Sequence, residues 1–140
     1  MLLDQYLDAA TRRPWLYGGG PDGWRGHDCL LFIANWSHAR LGADPADDLR
    51  GTYSTQGEAE ALLEKAGGYF GMMAARLVSA GWRSAREPET GDIGIVTVQL
   101  GRHRLERPAL YRDGIWLVPW ERGLLPLRGD VQRSTIWRAA

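Results

Sequence analysis

The chain has 140 residues, of which 44% are hydrophobic and 24% charged, and its 17 basic and 17 acidic residues cancel. That size and balance fit one globular domain able to bury a core, and zero net charge supplies no global field for nucleic acid or an anionic membrane. No run of about 18 apolar residues exists for a membrane span, and a single cysteine excludes an internal disulfide.

The first predicted element is a short amphipathic helix over residues 2–12, with Leu3, Tyr6, Leu7 and Ala10 on one face. Its early acids and lack of a long apolar core do not read as a secretion signal. Pro14 and the run Gly18–Gly20 end it and open a loop reaching Asp28. Asp28 is a plausible N-cap for a second helix from Cys29 to about Leu41, with Gly42 as its stop. Cys29, Phe32, Ile33 and Trp36 recur along it at helical spacing. A third helix opens at Thr55–Glu58, where Thr and Glu form a capping box, and ends at Gly67–Gly68. A fourth covers roughly Tyr69 to Ala80 and closes at Gly81.

Beyond Gly81 the period turns extended. "IGIVTVQL", residues 93–100, reads as a strand, and Asp113–Gly114 between two apolar runs signals a hairpin. "GLLPLR" and "STIWRA" are weaker strands, with Pro126 placing the former at an edge. Helices followed by antiparallel strands predict an α+β domain spanning residues 1–140.

The lone Cys29 is either a small buried hydrophobe or a reactive thiol. Its predicted place at a helix N-terminus favours a thiolate, because unpaired N–H groups and the positive dipole end converge there. No metal-ligand spacing joins His27, Asp28, Cys29 and His103, and no phosphate-loop lysine follows the glycine run, so neither metal nor cofactor is expected. Arg102, Arg104, Arg107 and Arg112 are interleaved with Glu106 and Asp113, which suits a solvated hairpin better than a nucleic-acid site. Of the seven tryptophans, two or three are expected in the core; Trp15 and Trp24 fall in the loop beside the cysteine. Tryptophan and arginine are the residues most enriched at binding hot spots.

"RPWLYGG" (Arg13 to Gly19), then "HDCLLF" around Cys29, then "GDIGIV" (Gly91 to Val96), resembles the NlpC-type cell-wall endopeptidases in order and spacing. The setting "G-x-HDC-x-x-F" followed by "LRGTY" (Leu49 to Tyr53) is similar to a divergent branch found in phage and prophage tail gene clusters. The resemblance implies a papain-like fold, its cysteine helix packed on a C-terminal antiparallel sheet. It implies Cys29 as nucleophile and Trp15, Tyr17, Trp24, Asp28 and Arg107 as substrate contacts. It further implies a place in the virion after synthesis in the bacterial cytoplasm, with other tail-tip proteins and peptidoglycan as partners.

The family also supplies a histidine on its second core strand and a third polar residue about a dozen positions later. Here Arg107 occupies the histidine slot, and the third slot falls near Val118 and Pro119. An arginine holds its proton at neutral pH and cannot serve as a base. His103, four residues before Arg107, is the best replacement, with His27 behind it; His38 is expected at the surface or in packing. Two readings follow: an active thiol endopeptidase cutting stem peptides, or a tail component that keeps the fold without the chemistry.

Overall fold

In the computed structural model, which describes residues 2–128 and 131–140, four helices precede a six-stranded antiparallel sheet. The helices are α1 (Leu3–Ala10), α2 (Cys29–Leu41), α3 (Gln56–Ala66) and α4 (Gly68–Ala80). The strands are β1 (Trp82–Ala85), β2 (Ile93–Leu100), β3 (His103–Arg112), β4 (Ile115–Trp120), β5 (Gly123–Leu127) and β6 (Val131–Ala139), in the order β1-β6-β2-β3-β4-β5. The α+β expectation holds.

Local chemistry sets the helix limits. Asp28 caps α2 by accepting from the Leu31 N–H at 2.9 Å, and Gly42 closes it in the left-handed region. Thr55 accepts from the Glu58 N–H at 3.2 Å at the start of α3. The Glu58 carboxylate reaches back to the Ser54 N–H at 3.1 Å, one residue earlier than a capping box requires. The β3–β4 turn has positive φ at both Asp113 (47°) and Gly114 (85°), the geometry that matches the right-handed twist of a tight hairpin.

α2 is not amphipathic. Every residue from Leu31 to Ser37 is buried, because α1, β3 and β4 pack around it. Trp36 Nε1 donates to the Gly91 carbonyl at 2.9 Å and Ser37 Oγ accepts from Trp82 Nε1 at 2.9 Å, whereas the buried Asn35 Oδ1 has no hydrogen-bond partner among the described residues. Ile93, Ile95, Leu110 and Trp137 close the core from the sheet. Alternation sends Val96, Val98, Trp116 and Ile136 to the opposite face, where a second buried cluster forms whose members all come from strands. Gly94 makes room there, since a Cβ on it would lie 2.4 Å from the Trp116 ring.

Two expectations change. β1 has no alternation to announce it, and forms because Trp82–Ala85 pairs with Ala139–Ile136 of β6. The core holds four tryptophans rather than two or three: Trp36, Trp82, Trp116 and Trp137. As expected, β5 with Pro126 is an edge strand.

Candidate functional site

The loop between α1 and α2 returns on itself through a short parallel bridge of Trp15 with His27. Leu16 donates to the His27 carbonyl at 3.0 Å, and His27 donates to that of Pro14 at 3.1 Å. At its tip Gly18 has φ +72°, and a Cβ there would sit 1.9 Å from the Tyr53 carbonyl oxygen, so only glycine fits. Arg50 pins the other side: it bonds both oxygens of Asp44 at 2.7 and 3.1 Å and donates to the Gly23 carbonyl at 2.8 Å. Its guanidinium lies 3.5 Å from the centroid of the Trp24 ring.

This framework presents Cys29 at the first turn of α2, half-buried in a cleft of about 340 Å³. The walls come from the loop (Trp15, Tyr17), from α3 and α4 (Leu62, Tyr69), and from the sheet (Arg107, Trp120). Cys29 Sγ lies 3.0 Å from the Tyr69 hydroxyl. Burial pushes the thiol up to about 11; Asp28 adds to the rise, while the Tyr69 hydroxyl, the Arg107 charge and the Leu30 N–H pull against it. Against the thiolate expected from the helix N-terminus, removal from water favours the protonated thiol at neutral pH. Burial also raises the Tyr69 phenol far above its usual range, helped by the neighbouring thiol, so it stays protonated at neutral pH and is no base.

Asp28 lines the cleft but is spent on the scaffold. One oxygen caps α2, and the other accepts from the Gly18 N–H at 3.0 Å and from the Tyr53 hydroxyl. Its carboxylate thus positions the scaffold, and the residue also lines the cleft, where the resemblance implied a substrate contact. Trp24 is displaced from the role the resemblance implied: it lies between Arg50 and His38 and does not line the cleft. Trp15, Tyr17 and Arg107 line the cleft.

The histidines are elsewhere. His103 is exposed at the first residue of β3, four residues and about 13 Å along the strand from Arg107. The hairpin register pairs it with Leu100 at the far end, which removes it as the base for Cys29. His27 is buried with its ring against Trp15 and Phe32, at centroid distances of 6.1 and 5.4 Å. It lines a separate cavity of about 250 Å³, and burial holds its pKa below the usual range, so it is neutral at pH 7. Among the described residues no imidazole lines the Cys29 cleft.

A family model described as a domain of unknown function, DUF6950, matches residues 2–131. The chain belongs to that family. No curated protein and no solved structure matches this DUF6950 chain. Among its described residues, no helix is long and apolar enough to cross a membrane.

Two residues of the DUF6950 site escaped the sequence. Tyr69, 40 positions after Cys29, carried no motif, and Tyr53 stood only as part of "LRGTY". The one available signal was that both tyrosines lie at or near the starts of helices, where side chains converge on a shared end.

Proposed function

We propose that this DUF6950 chain is a papain-like, NlpC-type domain that serves at the tip or baseplate of a phage tail, and that its cleft holds a ligand without cutting it. The observation that carries the reading is the company of Cys29: a phenol and a guanidinium, with no imidazole. Amide cleavage by a thiol needs a group that takes the thiol proton and returns it to the leaving amine. Arg107 cannot release a proton at neutral pH, and Tyr69 is held in its protonated form.

Support for the descent comes from the arrangement of elements. A cysteine opens a buried helix that packs on an antiparallel sheet, and the strand residue facing the same cleft is the one matched to the family's histidine. The partners that fit this reading are neighbouring tail proteins and bacterial peptidoglycan, with the mature protein in the virion after synthesis in the bacterial cytoplasm.

A second reading, an active peptidase, draws on one feature: the thiol sits at a helix N-terminus and opens on a cleft. Purified sacculi separate the two. The binding reading predicts that the protein cosediments with sacculi or with tail components, and that free amino groups do not increase over time. Amino-group release that disappears in Cys29→Ala establishes the peptidase instead.

A further inference from the structure

Arg107 is the one cation in the lining of the Cys29 cleft, and it makes no ion pair among the described residues. It is half-buried, and its guanidinium donates to the Glu106 carbonyl at 3.0 Å. Three acids share the lining, and each is otherwise engaged or solvated. Asp28 is held by Gly18, Leu31 and Tyr53. Glu60 is exposed on α3 and accepts from Gln56 at 3.0 Å, and Glu121 is exposed after β4. The Cys29 thiol and Tyr69 phenol, which share the cleft with Arg107, are protonated at pH 7.

Most of the rest of the lining is apolar, Gln56 and the hydroxyls of Tyr17 and Tyr53 excepted. Its apolar members include Leu30, Leu49, Leu62 and Leu63, together with Trp15 and Trp120. A cationic group left partly out of water is stabilised by a bound anion, and the apolar wall is stabilised by burying hydrocarbon. A strongly polar peptide satisfies the first and wastes the second.

We infer that the cleft binds a small amphiphilic carboxylate, its carboxylate on Arg107 and its alkyl chain along the leucines of α3 and the start of α2. At about 340 Å³ the space is at the lower end for small-ligand sites, which suits a medium-length chain. The inference concerns the cleft named above and rests on its being a binding site rather than a cutting one.

The test titrates the full chain with octanoate and, separately, with octanol, following tryptophan fluorescence and heat of binding. Octanoate is expected to bind saturably and at least about tenfold tighter than octanol, the size of a charge-assisted hydrogen bond. Arg107→Gln is expected to bring octanoate down to the octanol level, and Arg107→Lys to recover part of the difference. Equal affinity for the two probes, no saturable octanoate binding, or an unchanged affinity in Arg107→Gln overturns the inference. The comparison of the two probes on the unaltered chain decides even if Arg107→Gln fails to fold. Sacculus cleavage overturns the binding reading whatever octanoate does. Loss of octanoate preference without cleavage overturns only this ligand class.

Discussion

Asp28 accepts from Leu31, Gly18 and Tyr53, so one buried carboxylate ties α2, the loop before it and the segment ending at Tyr53. Removing it leaves two backbone N–H groups and a phenol without their acceptor, at a cost of about 1 kcal/mol or more each. Asp28→Ala is therefore expected to lower unfolding free energy by about 3 kcal/mol in denaturant titrations; a loss below about 1 kcal/mol contradicts the scaffold role. His27 supplies a pH dependence of known sign. Burial, the largest cause, lowers its folded pKa; Asp28 raises it and Arg13 lowers it. Between that folded value and about 6.5 the unfolded chain binds more protons, so stability is lost as pH falls through this window. The urea midpoint is expected to drop from pH 7 toward pH 5.5, and more shallowly in His27→Phe, whose ring suits the Trp15 and Phe32 contacts. Equal slopes in the two proteins contradict this.

Elements were legible wherever a single residue sets a boundary by its own chemistry. Asp28, Thr55, Gly42, Gly67 and Gly81 act within one turn of where they stand, so α2, α3 and α4 could be read from the sequence nearly to their ends. The Asp113–Gly114 hairpin belongs to the same class. β1 was hidden because Trp82–Ala85 acquires its form from β6, more than 50 residues away. The all-round burial of α2 was hidden for the same reason, since the layers that cover it come from both ends of the chain. Glycines at element scale give a paired prediction. Gly94→Ala forces a Cβ into the Trp116 ring and is expected to cost about 1–3 kcal/mol, the usual penalty for overpacking. Gly57→Ala, inside α3 with nothing within 4 Å, is expected to stabilise by about 0.5–1 kcal/mol. Thermal melts of the two variants should shift in opposite directions; shifts of one sign contradict the packing described.

At the scale of the whole molecule, the cleft is a meeting of distant segments. Cys29 could be placed from its own loop and helix, whereas Arg107, which lines the same cleft, comes from the middle of β3. Their joint chemistry depends on Tyr69 and on how much apolar surface surrounds them, neither of which a local pattern records. Trp24 shows the converse: near Cys29 in sequence, it turns away because Arg50 offers its ring a cation. The three imidazoles follow topology too: His103 at the far end of β3, His27 in the cavity it shares with Trp15 and Phe32, and His38 against Trp24. The binding reading and the peptidase reading part at one sulfur, whose protonation follows from the groups around it. Its most direct measurement is the rate of Cys29 alkylation by iodoacetamide in the folded protein as a function of pH. The account predicts a rise with a midpoint near about 11 and slow reaction at pH 7. A midpoint below about 8 would show an activated thiolate and contradict it.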